Sequence, residues 1–329
     1  MTSGQLAPGA ATIEPLIRDL AAGWPADLSR LHEMARYAVL PAGKLIRPLL
    51  MLEAGRAVGA DPLELAPVAI ALEYLHVATL VHDDIIDGDL LRRGRPTVHA
   101  KYGQADAIVV GDALLLDTFG TLATAGGRSF PAGAVLETVR IVAAAGIDLC
   151  RGQTAEAELA GDIDCGVSRY RSMAALKTGA LFKAACAAGG VLGGGSTAQV
   201  DALRTYAEHV GCAFQMRDDL LPYLRDTTRS GKSPVSDIAN RRPTFPVLVG
   251  LELADAAQRR RIERSLSGRL AVDASYRLLH EVLTETGALA AAAARVAAEA
   301  NAARDSVLIF GERGATLAAI AAETIERTW

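Results

Sequence analysis

Three aspartates at the end of an apolar segment are the residues in this sequence best suited to bind a metal ion. Asp83, Asp84 and Asp87 directly follow the apolar residues 65–82. On a helix, residues three or four apart lie on one face, so this spacing predicts that the three carboxylates converge. Mg²⁺ prefers carboxylate oxygens and completes its coordination with waters and substrate phosphates. The motif therefore predicts a magnesium site, although a solvated acidic helix end is the alternative that the motif alone leaves open.

A second acidic pair and several cations could bind a diphosphate together with that metal. Asp218 and Asp219 lie near the end of another apolar segment, in FQMRDDLLPYLRD. Arginine suits bidentate contacts with phosphate oxygens, and three arginines follow the first motif at once. The apolar residues before both motifs fit a substrate with a charged head and a hydrocarbon tail. The cations near the motifs and in the segments around them are Lys44, Arg47, Arg92, Arg93, Arg95, Lys177, Lys232, Arg241 and Arg242.

The elements that must position these residues are predicted to be helices. Period-two alternation is hard to find, so a sheet is not expected. Breaks are predicted at Asp61-Pro62, at Gly126-Gly127, at 189–195 and at 229–240, with Ser196 or Thr197 capping the helix that follows GGVLGGGST. The sequence thus predicts one all-α domain over residues 1–329. Its helices are expected at 65–82, 105–125, 134–160, 172–190, 197–222, 244–254 and 274–304.

Composition and charge exclude several other classes of protein. The net charge of −4 and the scattered basic residues predict no binding to nucleic acid. The four cysteines lie far apart without a CxxC pair, so neither a zinc site nor a disulfide scaffold is expected. The start of the chain lacks a basic region followed by an apolar run, and no apolar stretch was expected to reach membrane-spanning length without interruption. A cytoplasmic protein without a transmembrane segment is predicted.

The order of these motifs resembles the trans-type polyprenyl (isoprenyl) diphosphate synthase family. GK-x-x-RP begins at Gly43, and it is followed by DDxxD with RRG, by KTG, by FQ-x-x-DD and by GK, over residues 43–246. The resemblance implies an isoprenoid-synthase-type helical bundle around a central cavity, and a homodimer. It also implies a magnesium-dependent enzyme that condenses an allylic diphosphate with isopentenyl diphosphate head to tail. Low aromatic content and a second set of cations weigh against a class I terpene cyclase, which remains the alternative.

The resemblance also implies roles for individual residues. Asp83 and Asp87 would hold two Mg²⁺ ions and Asp218 a third, with Asp84 completing the catalytic motif. Lys177 and Thr178 would stabilise the allylic cation. The residues implied to contact the allylic diphosphate are Arg92, Lys177, Gln215 and Lys232, with Arg242 in a later substrate-binding segment. Those implied for isopentenyl diphosphate are Gly43, Lys44, Arg47, His76 and Arg93.

Three positions depart from the usual family pattern. Pro222 stands where a last aspartate is expected in the second acidic motif, which implies weaker Mg²⁺ binding or, as a further alternative, a weakly active subunit of a heteromeric synthase. Arg242 stands in place of a lysine, which keeps the charge but changes the geometry. Glu156 in GQTAE stands in place of an aspartate, and the sequence alone gives this change little weight.

Product length in this family depends on where the hydrocarbon tail meets a floor below the first acidic motif. Thr79 and Ala78 lie four and five residues before Asp83, and both are small. An aromatic ring there would stop the product at the farnesyl length. The tunnel is therefore expected to continue to Leu75 or Phe119, and the product to be geranylgeranyl diphosphate or longer.

Overall fold

The computed structural model describes residues 15, 29–41, 43–224, 238 and 240–326, and nearly all of them are helical. A π-helical turn, Ala175–Gly179, joins α7 to α8, and a 3₁₀ turn, Leu308–Gly314, precedes α14. A two-residue hairpin, β1 Leu91–Arg92 and β2 Arg95–Pro96, follows the first acidic motif. The helices are α1 Arg30–Val39, α2 Ile46–Val58, α3 Pro62–Asp87, α4 Val98–Tyr102, α5 Gln104–Ser129, α6 Ala132–Leu159, α7 Gly166–Ala174, α8 Ala180–Leu192, α9 Thr197–Leu224, α10 Phe245–Leu253, α11 Ala256–Leu266, α12 Val272–Glu285, α13 Ala288–Ser306 and α14 Ala315–Glu326.

Contacts divide the chain into two compact units. Unit 1 comprises Met1–Gly146, Leu181–Arg204 and Val307–Ala319. Unit 2 comprises Ile147–Ala180, Thr205–Ser306 and Ile320–Trp329. The boundaries at 146 and 204 lie inside helices α6 and α9, so the units are not successive segments of the chain. The single domain predicted over residues 1–329 stays a prediction.

Unit 1 is built around α3, which carries the first acidic motif at its C-terminal end. Asp61 caps the helix by accepting a hydrogen bond from the Leu63 N–H, and Pro62 occupies the first turn, where its missing N–H costs nothing. α3 packs against α2 and α5 and is buried along most of its length. Gly189 of α8 lets a second helix approach α2, because a Cβ atom there would lie 2.1 Å from the Met51 carbonyl oxygen.

Unit 2 is built around α10, a short helix that packs against α7, α11, α12 and α13. Phe245 and Val249 of α10 are completely buried. The alanine-rich helix α13 presents small side chains to this core, and Ala292 and Ala300 are completely buried. Burial of this apolar surface is the main stabilising contribution in each unit.

The structure confirms the all-α fold and most of the predicted helices, with corrections. The predicted cap after GGVLGGGST is confirmed, because Ser196 and Gln199 exchange side-chain-to-backbone hydrogen bonds. The break at Gly126-Gly127 was wrong, since α5 continues to Ser129 and a long packed helix tolerates the roughly 1 kcal/mol that a glycine costs. The single helix 274–304 was also wrong. It is divided into α12 and α13 at Gly287, whose φ of 72° is left-handed.

Three helical segments are long and apolar enough to cross a membrane by length and composition, which corrects the expectation that no apolar stretch reaches that length. They are Pro62–Asp87, Gln104–Ser129 and Gly166–Leu192, and their most apolar windows are 72%, 33% and 67% buried inside the protein. The first and third owe their apolar composition to packing in the protein interior. The second, α5, leaves more of its apolar surface exposed.

Candidate active site

The first acidic motif, at the end of α3, divides its three carboxylates between two environments. Asp84 is 4% exposed, and its Oδ1 accepts a hydrogen bond from Arg92 Nε at 2.7 Å and lies 2.6 Å from Arg92 Nη2 in an ion pair. Asp83 and Asp87 lie four residues apart and are half-buried. Asp84 is therefore bound to an arginine, and the metal-binding roles of Asp83 and Asp87 stay predictions. Among the described residues, no group of three acidic, histidine or cysteine side chains is placed to bind one ion.

Burial and Arg92 act on Asp84 in opposite directions. Burial raises the pKa of Asp84, and the hydrogen bonds and charge of Arg92 offset only part of that rise. Burial alone would lower the pKa of Arg92, but the hydrogen bond that Arg92 donates to Asp84 and the charge of Asp84 outweigh this, so that the pKa of Arg92 is raised. Arg92, expected to contact a diphosphate, is thus held by the motif itself. The pair ties the β1–β2 hairpin to the end of α3.

A cluster of positive charge surrounds His76, about two turns before the acidic motif. Burial and the charges of Arg47, Arg93 and Arg92 lower the pKa of His76 well below its usual value, so the ring is neutral at pH 7. Gly43 lies against Arg93, and a Cβ atom there would lie 2.4 Å from a guanidinium nitrogen. A side chain at Gly43 would therefore displace Arg93. Unit 1 brings together four of the five residues predicted to bind isopentenyl diphosphate, and the fifth, Lys44, is exposed.

Sequence reasoning missed a buried carboxylate in this cluster. Glu73 lies one turn before His76 on α3 and is 2% exposed. Burial raises its pKa, whereas the charges of Arg47 and Arg93 lower it, so both cations act on this carboxylate. The guanidinium of Arg47 also lies 5.2 Å from the centre of the Phe182 ring. A lone acid inside an otherwise apolar helix, three residues before His76, was the signal that could have found Glu73.

Backbone strain occurs next to the predicted diphosphate-binding cations. In the described part of the chain, the non-glycine residues with positive φ are Leu45, Arg93 and Arg241, at 53°, 53° and 52°. Leu45 follows Lys44, Arg93 is itself predicted to bind a diphosphate, and Arg241 precedes Arg242. The left-handed conformation costs roughly 1–2 kcal/mol for such residues. It persists where the surrounding structure imposes it, as at binding sites.

In unit 2 the Lys177-Thr178 pair lies in the π-helical turn, and π turns inside helices are frequent at functional sites. The Thr178 hydroxyl donates a hydrogen bond to Gln215 Oε1 at 2.6 Å, and Gln215 Nε2 donates to Asp219 Oδ1 at 2.9 Å. Gly152 of α6 packs closely against the turn, since a Cβ atom there would lie 2.3 Å from the Lys177 backbone nitrogen. The predicted residues Lys177, Thr178 and Gln215 are therefore parts of one connected network.

The same network fixes the second acidic pair. Asp219 Oδ2 accepts hydrogen bonds from the Tyr170 hydroxyl at 2.7 Å and from the Phe245 N–H at 3.0 Å, so its carboxylate accepts three hydrogen bonds. Asp218, the predicted metal ligand, is its half-buried neighbour. Tyr170 is 3% exposed and stacks on the Phe245 ring with 5.7 Å between centroids. Sequence reasoning missed Tyr170, which precedes Asp219 by 49 residues. Pro222 lies inside α9, which continues to Leu224.

Glu156, given little weight from the sequence, contacts two cations. Its Oε2 lies 2.5 Å from Lys177 Nζ and 3.7 Å from Arg242 Nη2. All three side chains are mostly buried. Lys232 lies outside the described residues.

The predicted floor of the product tunnel belongs to the packed interface of α3 with α5. Ala78 and Leu75 are buried, and the Thr79 hydroxyl donates a hydrogen bond to the His76 carbonyl at 2.8 Å. Phe119 of α5 is half-buried. The assignment of the floor to these residues stays a prediction.

This chain is similar to the members of a known protein family. The profile of the family described as polyprenyl synthetase matches residues 28–282. A short chain isoprenyl diphosphate synthase of Methanothermobacter thermautotrophicus is 37% identical over 238 residues, covering 72% of this chain and 71% of that protein. An octaprenyl diphosphate synthase of Haemophilus influenzae is 31% identical over 289 residues, covering 87% of this chain and 84% of that protein.

Solved structures extend the likeness to almost the whole chain. The geranylgeranyl pyrophosphate synthetase of Pyrococcus horikoshii superposes with a TM-score of 0.87 at 30% identity, covering 97% of this chain and 98% of that one. A decaprenyl diphosphate synthase of Rhodobacter capsulatus superposes with a TM-score of 0.84 at 30% identity, covering 98% of this chain and 97% of that one. The matched residues include both acidic motifs and the network around each. This chain belongs to the polyprenyl synthetase family, and it is a prenyl transferase with the isoprenoid-synthase helical fold.

Proposed function

We propose that this protein is a magnesium-dependent synthase that joins an allylic diphosphate to isopentenyl diphosphate, head to tail. The observation that carries the proposal is shared by the two aspartate pairs. In each pair the second aspartate is bound to protein donors: Asp84 to Arg92, and Asp219 to three donors in unit 2. The first aspartate of each pair, Asp83 or Asp218, is half-buried beside it. This arrangement suits carboxylates that take part in metal binding.

The chemistry of these residues fits Mg²⁺. The ion is usually held in such sites by one or two carboxylates together with substrate phosphates, and Asp83 and Asp87 offer two carboxylates on one helix face. These two would hold two ions and Asp218 a third. When bound, Mg²⁺ stabilises the negative charge that develops on the leaving diphosphate.

The cations of each unit would bind and orient the two diphosphates. In unit 1, Arg47 and Arg93 would hold the diphosphate of isopentenyl diphosphate, and the neutral ring of His76 can donate a hydrogen bond without adding charge. In unit 2, Lys177 and Arg242 would bind the allylic diphosphate. Its departure leaves an allylic cation, which the double bond of the second substrate attacks. Loss of a proton to the released diphosphate completes the product, so no histidine or glutamate base is needed.

The product is proposed to be geranylgeranyl diphosphate or longer. The small residues Ala78 and Thr79 support this. Proteins similar to this chain carry the names farnesyl, geranylgeranyl, octaprenyl and decaprenyl synthase, so their names alone do not fix the length. Thr79→Phe would place a ring one turn before Asp83, and we expect it to shorten the longest product by at least one isoprene unit. Thr124→Phe, at an exposed position of α5, is the matched control and should leave product length unchanged.

A cytoplasmic homodimer is also proposed. Helix α5 exposes Ile108, Val109 and Leu116, and α6 exposes Leu136, at fractions between 44% and 73%. Exposed aliphatic side chains of this number suit a contact with a second copy. Light scattering after size-exclusion chromatography should give twice the chain mass of 34.4 kDa. A monomer at micromolar concentration would contradict the dimer.

The decisive experiment supplies purified protein with Mg²⁺, isopentenyl diphosphate and, separately, dimethylallyl, geranyl, farnesyl and geranylgeranyl diphosphates. Products are dephosphorylated and sized by chromatography and mass spectrometry. Elongation beyond farnesyl that is lost with EDTA and with Asp83→Asn supports the proposal. Conversion of one diphosphate to a hydrocarbon without elongation would favour a terpene cyclase. No turnover with any starter would favour a subunit of a heteromeric synthase.

A further inference from the structure

Glu156 brings two cations of unit 2 to a single carboxylate oxygen. Lys177 Nζ lies 2.5 Å and Arg242 Nη2 lies 3.7 Å from the same Oε2 atom. The two nitrogens are therefore no more than about 6 Å apart, the sum of those distances. The three side chains are 16%, 20% and 21% exposed, in the order Glu156, Lys177, Arg242. One carboxylate thus holds two mostly buried positive charges close together.

Two like charges at this separation repel each other, more strongly in a partly buried site than in water. Glu156 offsets that repulsion, but one negative charge against two positive charges leaves a local excess of one. An anion with two or more negative charges that spans both nitrogens would bind there favourably, and a diphosphate has this charge. The cluster thus differs from a neutral ion pair by one positive charge.

Helix α6 fixes Lys177 at two points. Gly152 lies directly against the Lys177 backbone, and Glu156, four residues later on the same helix face, bonds its ammonium. The adjacent Thr178 is bonded to Gln215. The π-helical turn and the side chain of Lys177 are thus positioned by one face of α6, whereas Arg242 reaches the same carboxylate from the segment before α10.

We propose that Glu156 is a positioning residue, the shared counter-ion that presents Lys177 and Arg242 to one diphosphate. This inference rests on the proposed function. Arg242 lies 3.7 Å from the carboxylate, near the limit of an ion pair. Shortening Glu156 by one methylene, about 1.5 Å, would therefore take its carboxylate out of reach of Arg242.

A double-mutant cycle with Glu156→Asp, Arg242→Lys and the double variant tests this coupling. We expect each single variant to raise the KM for the allylic diphosphate severalfold. The KM of the double variant should not exceed that of the more impaired single variant. It should therefore lie at least about threefold below the value that multiplying the two single effects gives. The KM for isopentenyl diphosphate should change less than about twofold, since its proposed ligands lie in unit 1. Glu158→Gln, at an exposed position two residues further on α6, is the control and should match the wild type.

The proposal would be overturned if the two single effects on the KM for the allylic diphosphate multiplied in the double variant. It would also be overturned by equal changes in both KM values, or by the same rise in KM in Glu158→Gln. Calorimetric titration with inorganic diphosphate and Mg²⁺ repeats the cycle without turnover. If the wild type fails to elongate any starter but the titration shows the coupling, the proposed function fails and the positioning role stands. If the wild type turns over fully but the two substitutions act independently in the titration, the positioning role alone is refuted. The same holds if the wild type does not bind diphosphate.

Discussion

Replacing Asp84 with asparagine should destabilise the protein, whereas replacing Asp83 should mainly impair catalysis. The two residues are adjacent and chemically identical, but Asp84 is buried and bound to Arg92, through Nε at 2.7 Å and Nη2 at 2.6 Å, whereas Asp83 is half-buried. Asparagine matches the shape of aspartate and removes its charge. The pair of substitutions therefore separates the structural carboxylate of the motif from the proposed metal ligand.

The expected loss follows from the exposure of the two partners. Removing one partner of a fully buried ion pair costs about 3–5 kcal/mol, whereas an exposed pair contributes about 0–1 kcal/mol. The carboxylate of Asp84 is 5% exposed and the guanidinium side of the pair 32% exposed, so Arg92 can recover part of its hydration. Burial also raises the pKa of Asp84, so its ionised form gains less from the pair. We therefore expect Asp84→Asn to lower the free energy of unfolding by about 2 kcal/mol, and Asp83→Asn by less than about 1 kcal/mol.

The assay is urea-induced unfolding without Mg²⁺ or diphosphate, followed by circular dichroism, beside kcat at saturating substrates. Asp83→Asn should lower kcat on the order of a hundredfold or more, through lost stabilisation of the leaving group. Adding Arg92→Gln to Asp84→Asn should cost less than the sum of the two single changes. Equal losses of unfolding free energy for Asp83→Asn and Asp84→Asn would refute this division of roles.

Two further predictions concern the pH dependence of stability and backbone strain. Because burial and Arg47 lower the pKa of His76, the unfolded chain binds a proton below about pH 6.5 that the folded chain does not. Stability should therefore fall by up to about 1.4 kcal/mol per pH unit between about pH 6.5 and 5 from this residue. His76→Gln should make the urea midpoint depend less on pH over that range. A pH dependence parallel to that of the wild type would contradict the lowered pKa. His99→Gln is the control. Arg241→Gly should relieve the left-handed backbone and raise the unfolding free energy by up to about 1 kcal/mol, whereas Arg241→Ala, which keeps the strain, should not. A gain in the alanine variant alone would contradict the argument.

The long helices were predictable because their apolar residues recur at helical spacing over many turns. Helix α11, in contrast, is a polar segment, AAQRRRIERSL, and was missed. Its start carries a capping box in which Asp255 and Gln258 bond each other's backbone, so a local signal existed without an apolar stripe. The division of 274–304 at Gly287 was missed because apolar periodicity runs through both helices. The Thr286-Gly287 pair was the local sequence signal that indicated the turn.

The candidate site was predictable in its charged residues and not in the contacts that assign their roles. Type and spacing singled out Asp83 and Asp218, both of which are half-buried, and their role as metal ligands stays a prediction. The partners that fix Asp84 and Asp219 could not be read from spacing, since Tyr170 is 49 residues away from Asp219 and Arg92 is one of three nearby arginines. Which arginine bonds which carboxylate depends on the β1–β2 hairpin, and two-residue strands leave no periodic signal.

Both units solve the same electrostatic problem in the same way. A site for a diphosphate needs several cations close together, and like charges brought out of water repel. Unit 1 places Glu73 where Arg47 and Arg93 both act on it, and unit 2 places Glu156 within ion-pair distance of Lys177 and Arg242. In each unit one carboxylate is placed where two cations act on it, so that one negative charge faces two positive charges. Glu73 and Glu156 were the residues that sequence reasoning passed over or discounted, because a counter-ion is defined by what surrounds it in the fold and not by a motif.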